Sequence, residues 1–270
     1  MAARPNLTAA TITRRVIVVG EAFAPYVNAQ RAALLGVLSK LTTEDWLRVT
    51  ICDPWTVHDV GAHLVEAELR FGRLYRGEID TVDTDNQADV DRWSKVDAET
   101  VRYSIWHHGQ ATQRVIDSRP DSSWGREVTS MGWPIDLRRA LRMHFFEVAV
   151  HSWDITNALG VQTIWDDRAA PLVDYCIELA PLALALLPPT GAVELDVAGV
   201  GTRTLDGSGR DWTLTGDREV SPTTTWHTDP ESLVLAVTGR LDLNEAIERT
   251  KVEGDADSLK DVLAAWQLAG

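Results

Sequence analysis

Glu147 and His151 stand four residues apart in the run Phe146-Glu147-Val148-Ala149-Val150-His151-Ser152-Trp153-Asp154. On a helix that spacing puts both side chains on one face, about one turn from each other. His63 lies in another helical run, between Val60 and Leu64 on the stripe that should face a helical interior. Facing helices of a bundle assemble metal sites from inward-projecting carboxylate and imidazole groups. Two histidines and one glutamate suit a borderline divalent ion and leave coordination positions open, the mark of a catalytic site. Asp154, three residues after His151, is placed to orient that imidazole, as carboxylates do around metal-bound histidine. Spacing alone admits other readings. A Glu–His pair at this spacing is common as a surface ion pair, and a single core histidine is usually just hydrogen-bonded. Asp154 could be a surface carboxylate near the helix end. His144, three residues before Glu147, could serve in place of His151.

Other reactive types read more plainly. Cys52 lacks a matched base nearby in sequence and reads as a small buried hydrophobe. Two cysteines, Cys52 and Cys176, cannot build a disulfide framework and fit a reducing compartment. His58 follows Thr56 and reads as solvated. Arg138, Arg139 and Arg142 open a helix and read as surface charges, although one could meet a substrate carboxylate. The 11 tryptophans show no fixed period, so they read as bulky core residues rather than repeat markers. His107-His108 and the acidic stretch from Glu78 to Asp91 receive no assignment.

The elements that must position these residues are mostly helices. The chain has 270 residues and a formal charge of −14, from 26 Lys+Arg and 40 Asp+Glu. That balance argues against nucleic acid or an anionic membrane as partner, because a phosphate surface would repel it. The longest apolar stretch, Leu179 to Leu187, is broken by Pro181 and too short to span a bilayer. The first residues, MAARPNLTAATITRR, lack a signal-peptide core and read as a ragged leader on a cytoplasmic protein. Up to Leu187 the apolar spacing is helical. It predicts helices over Glu21–Leu41, from Thr56 (an N-cap with Asp59 three residues on), over Asp97–Ser118, and from Pro134 to Leu159, with Gly160 as C-cap. The second of these carries an inner stripe of Val57, Val60, Leu64, Ala67 and Phe71. Four long helices suggest an antiparallel bundle, and a fifth, Asp167–Leu187, leads to the turn Pro188-Pro189-Thr190-Gly191. Beyond it come short β runs: Ala192–Ala198, a hairpin of Gly201–Leu205 with Asp211–Thr215, and Thr223–His227. A helix over Pro230–Thr238, Val252 and a last helix from Asp257 complete a small α+β module. The expectation is a two-domain α+β protein, 1–188 helical and 189–270 mixed.

At the level of motifs, the stretch from Asp53 to Leu64, DPWTVHDVGAHL, resembles the W-T-V-x-D-V-x-A-H-L signature of the mycothiol-dependent maleylpyruvate isomerase family. The segment Glu147-x-x-x-His151-x-x-Asp154 resembles that family's last bundle helix, and Val252–Leu259 is similar to its closing strand–turn–helix. The resemblance implies a DinB-like metal-binding four-helix bundle followed by a sterol-carrier-like domain. It implies a divalent metal, typically zinc, at the positions matching His63, Glu147 and His151. It also implies mycothiol, a low-molecular-weight thiol of actinobacteria, as cosubstrate. Arg240, in Thr238-Gly239-Arg240, matches a Gly-Arg of the C-terminal domain and is a candidate to close over the pocket. Arg142 and Trp153 are candidates for binding the cosubstrate. One departure is Cys-Asp-Pro-Trp where many members have Cys-Pro-Gly-Trp, a change beside the pocket lip. The expected activity is S-transfer from mycothiol to a small electrophile or thiol conjugate, including exchange of the kind used for lincosamide-type sugars. Cis–trans isomerisation of maleylpyruvate is the alternative, and a non-catalytic metal- or ligand-carrying module the third. The protein is expected to act as a monomer or homodimer.

Overall fold

The computed structural model describes residues 23–83, 86–130, 132–162, 165, 168–215 and 220–267. The leader sequence lies outside the described residues. Four long helices form the N-terminal bundle: α1 (Ala24–Leu38), α3 (Val57–Arg76), α5 (Ala98–Asp117) and α6 (Leu137–Leu159). Helix α3 packs on α5 and α6, and α1 packs on the same two. Two short helices, α2 (Thr43–Trp46) and α4 (Asn86–Trp93), fill the connections. The acidic stretch left unassigned by sequence thus contains most of α4.

Local chemistry explains where the site-bearing helices start and stop. Thr56 caps α3, and its backbone N–H donates to Asp59 Oδ2 at 2.9 Å, closing a reciprocal capping box. Gly77 ends α3 in the left-handed region, at φ +79°. Helix α6 begins later than the sequence suggests. Pro134 lies in a strand, β2 (Trp133–Asp136), opposite Thr129 of β1 (Glu127–Ser130). A proline lacks the N–H a central strand needs, but a two-stranded hairpin leaves one edge of each strand free. Asp136 then caps α6 by accepting from the Arg139 N–H at 2.8 Å. At the other end Gly160, at φ +67°, is the C-cap that the sequence predicts.

Helix α7 (Ala169–Ala183) and a 3-10 turn over Leu184–Leu186 form the run of highest apolarity, with mean hydropathy 1.5 over 18 residues. One face of this run belongs to the core. Leu172, Val173, Cys176, Ile177 and Ala180 are buried, while Asp174 and Glu178 pair with Arg203 and with Arg139 and Arg142. The five strands that follow are β3 (Gly191–Val197), β4 (Gly201–Gly207), β5 (Thr213–Thr215), β6 (Thr224–Thr228) and β7 (Lys251–Gly254). Their order is β5-β4-β3-β6-β7, with β3 and β6 parallel and the other pairs antiparallel. Helices α8 (Pro230–Val237), α9 (Leu243–Glu248) and α10 (Ala256–Trp266) complete the module. Helix α7 packs on α6 and also on α8, β4 and β5, so one apolar core continues across residue 188. Trp226 and Trp266 are fully buried in it, in keeping with tryptophan as core filler, whereas Trp106 is exposed.

Candidate metal centre

Helices α3 and α6 face each other and bring three side chains to one point. Each of His63, Glu147 and His151 offers a ligand atom, and those atoms lie within 4.8 Å of one another. Glu147 Oε2 is 3.4 Å from His63 Nε2 and 3.5 Å from His151 Nε2. The two imidazoles meet edge to face, with ring centroids 4.8 Å apart. Their side chains are 3 % and 10 % exposed, whereas that of Glu147 is 27 % exposed, so the cluster opens to solvent on the glutamate's side. Trp55 lies over His63 at a centroid distance of 5.4 Å.

Asp154 stands behind His151. The Nδ1–H of His151 donates to Asp154 Oδ2 at 2.8 Å, which fixes the tautomer and leaves Nε2 turned toward Glu147. Asp154 is itself clamped by Arg240, whose Nε and Nη2 donate to its two oxygens at 2.7 and 2.8 Å. Both partners are buried, and the paired fork geometry is the strong one. Arg240 follows α8, so this contact ties the sheet module to the helix that carries Glu147 and His151. Beside it a cleft of about 610 Å³ is lined by Arg240, Ile51, Asp242, Lys260, Asp261 and Gln267.

The titratable groups of the cluster are tightly coupled. Burial alone would raise the pKa of Glu147, but hydrogen bonds from His151 and His63 hold it well below the usual carboxylate range. Burial would likewise raise Asp154, and His151 with Arg240 keeps it low. Burial opposes a charge on His151, yet its hydrogen bonds to Asp154, Cys52 and Glu147 outweigh that and raise its pKa well above the ordinary value. His63 goes the other way: burial lowers its pKa more than Glu147 restores it. A neutral imidazole on α3, an ionised carboxylate and an imidazole whose extra proton a cation can replace are a donor set that fits a borderline divalent ion. His63 Nδ1 is buried without a hydrogen-bond partner among the described residues, which supply no counterpart of Asp154 on that side.

The structure sorts the remaining candidates. His144 is turned away from the cluster, toward Glu68 and the rings of Phe71 and Tyr75, so His151 and not His144 joins His63 and Glu147. Arg142 donates to Glu178 and lies over the Phe23 ring, and Trp153 Nε1 donates to Glu231 Oε1 at 2.9 Å. Neither is brought to the three ligand atoms. His58 is half-buried and its Nε2 is 2.8 Å from the Val96 carbonyl, so it is not the solvated residue the sequence suggests. Cys52 departs furthest from its reading. It is half-buried, its Sγ donates to Asp154 Oδ2 at 3.3 Å, and Arg240 Nη2 donates to it at 3.7 Å. No local spacing signals this, because the partners lie 102 and 188 residues away.

Residues 27–156, which include every residue of the triad, match the family model described as the mycothiol maleylpyruvate isomerase N-terminal domain. They belong to that domain family. Two crystal structures of the mycothiol-dependent maleylpyruvate isomerase, one of them a histidine-to-alanine mutant, share the fold. They match at 14 % and 13 % identity, each over 82 % of this chain and 90 % of that one, with TM-scores of 0.62. YfiT from Bacillus subtilis, described as a probable metal-dependent hydrolase with an unusual four-helix bundle topology, matches at 18 % identity over 56 % of this chain and 94 % of that one, with a TM-score of 0.45. No curated protein sequence matches the chain. The fold is therefore a helical N-terminal bundle with a sheet-containing C-terminal region.

Proposed function

We propose that this chain is a mycothiol- and metal-dependent enzyme in which the thiol of the cosubstrate attacks a small electrophile, with S-transfer as the outcome. The observation that carries the reading is the convergence of His63, Glu147 and His151 within 4.8 Å, open on one side, in a domain of the family named above. A divalent ion there, zinc by the chemistry of the donors, would stabilise a coordinated thiolate at neutral pH, where a free thiol is mostly protonated. The chain's own residues supply the rest. Asp154 holds His151 in one tautomer, Arg240 holds Asp154, and burial beneath Trp55 keeps His63 uncharged. Glu147 is the most exposed of the three side chains.

Both candidate reactions begin with a bond between the thiolate sulfur and an electrophilic carbon. In transfer that bond persists and a leaving group, or another sulfur, departs. In isomerisation of maleylpyruvate it breaks again after rotation about the former double bond. A dicarboxylate would need cationic partners. Arg70 and Arg240, whose charges act on the triad, are already paired with Asp89 and Asp154. This favours an uncharged electrophile and so transfer, of which exchange on a lincosamide-type sugar conjugate is one form.

Mass spectrometry of reactions containing the zinc-loaded protein, mycothiol and either neutral electrophiles or maleylpyruvate tests the proposal. A mycothiol conjugate formed only with protein present supports transfer. The trans isomer without a conjugate supports the alternative. Neither product, with an apolar ligand retained by the protein, would favour a carrier role and overturn the enzymatic reading.

A further inference from the structure

The same two helices carry a second buried cluster that the thiol chemistry does not use. Glu68 of α3 accepts from Arg31 of α1, at 2.6 Å from Nε and 3.1 Å from Nη2. Its Oε2 lies 3.3 Å from His144 Nε2 of α6. Exposure is 1 % for Arg31, 1 % for Glu68 and 0 % for His144, so the Arg31–Glu68 pair and the imidazole beside it are shut off from water. The His144 ring stacks on Phe71 at 4.4 Å, and Tyr75 Oη is 3.5 Å from its Nδ1. Helix α5 makes room for the arginine: a Cβ added at Gly109 would lie 2.3 Å from Arg31 Cδ. Thr112 of α5 donates to the Glu68 carbonyl oxygen at 3.0 Å. All four long helices therefore meet at this cluster.

Its place along the helices relates it to the triad. Glu68 follows His63 by five residues on α3, and on α6 His144 lies five residues from the midpoint of Glu147 and His151. The two helices run antiparallel, since His63 meets Glu147 and His151 while the later Glu68 meets the earlier His144. At about 1.5 Å per residue, both separations come to roughly 7.5 Å along the axis. The bundle thus has two cross-ties at matched spacing, one holding metal donors and one holding charge. Apolar rows define such a register weakly, because a slip of one turn exchanges one aliphatic contact for another. A single buried ion cluster defines it sharply, because a slip strands charges in the core without their partners.

We propose that Glu68 and His144, held by Arg31, are positioning residues for the metal triad: they fix the register of α3 against α6 and so the placement of His63 relative to Glu147 and His151. This rests on the metal reading above.

The test replaces the cluster by apolar groups of similar size, Arg31→Met/Glu68→Leu/His144→Phe, and reads cobalt(II) binding. Removing all charges of a buried ionic cluster together commonly preserves or raises stability, so this variant should unfold cooperatively near the wild-type midpoint. Its cobalt affinity should fall about 10-fold or more, the size seen when support around ligands is lost, and the visible spectrum of the bound cobalt should change. A folded triple variant with wild-type affinity and spectrum would overturn the proposal, because a merely stabilising cluster predicts that result. If the triple variant does not fold, His144→Gln decides, since it keeps the Arg31–Glu68 pair. It should weaken cobalt binding and alter the spectrum, and unchanged binding would overturn the proposal. Glu68→Asp, which keeps the charge, should fall between wild type and the triple variant. Failure of the underlying reading looks different: wild type and His63→Ala would then be indistinguishable in cobalt binding, and both claims would fall.

Discussion

Replacing Arg240 by methionine removes one half of a buried ion pair and leaves the other half in place. Asp154 is 0 % exposed at its side chain and Arg240 6 %, with two hydrogen bonds of 2.7 and 2.8 Å between them. Breaking a buried pair from one side costs ~3–5 kcal/mol, because the remaining charge keeps its desolvation penalty. Asp154 still accepts from His151 at 2.8 Å and from Cys52 at 3.3 Å, which places the expected loss at the low end, about 3 kcal/mol. For a chain of this size that is a fall of roughly 6–12 °C in the thermal midpoint, at about 2–4 °C per kcal/mol. Urea unfolding followed by tryptophan fluorescence measures it, with Arg203→Met as control. The Arg203–Asp174 pair is 30 % and 39 % exposed, so its loss should cost less than ~1 kcal/mol. The double variant Asp154→Asn/Arg240→Met should be more stable than Arg240→Met alone, because no unpaired carboxylate remains. An Arg240→Met protein within ~0.5 kcal/mol of wild type, the scatter of ordinary surface changes, would refute the view that Arg240 locks the sheet module onto α6.

Three other outcomes follow from the geometry. The Glu68 carboxyl is held at about 2 against an ordinary 4.5: burial would raise it, but Arg31 and His144 more than offset that. A depressed folded pKa gives stability that is complete above about pH 4.5 and lost as pH falls toward 2, so thermal melts of wild type should decline more steeply across that window than those of Glu68→Gln; parallel curves would count against it. Gly109→Ala forces Arg31 aside and should cost about 1–3 kcal/mol, and a neutral effect in urea would mean that the arginine has room the structure does not show. Asp154→Asn should weaken zinc binding by ~10–100-fold, less than His63→Ala or His151→Ala, as measured by competition with a chromogenic chelator.

Much of the site was readable because it depends on short spacings. The four residues from Glu147 to His151 and the apolar stripe through His63 are enough to aim three side chains inward, and Thr56 with Asp59 marks where the helix carrying His63 begins. Most of the order of strands and helices after Gly191 was also legible, since Gly, Asp and Thr punctuate it, but the short helix α9 went unread. What stayed hidden depends on contacts far apart in sequence. Cys52 reads as an isolated thiol until Asp154 and Arg240 are folded against it. Glu68 looks like an ordinary helix residue until α1 delivers Arg31 to one side of its carboxylate and α6 delivers His144 to the other. Pro134 suggested a helix start, and the hairpin that claims it instead is set by pairing with Glu127–Ser130, whose strand character no local pattern announced. Trp153 and Arg142 sit on the right helix, but helix spacing does not reveal that Glu231 and Glu178 take their polar ends.

The central claim is that the triad presents a metal ion to an external thiol. Cobalt-loaded protein carrying Cys52→Ser, which removes the thiol that lies against Asp154, should develop a thiolate-to-cobalt charge-transfer band in the near ultraviolet when mycothiol is added. The band should be absent when His63→Ala or His151→Ala is added to that background. A protein that binds cobalt yet shows no such band with mycothiol, or shows it undiminished without His63 and His151, would contradict the account.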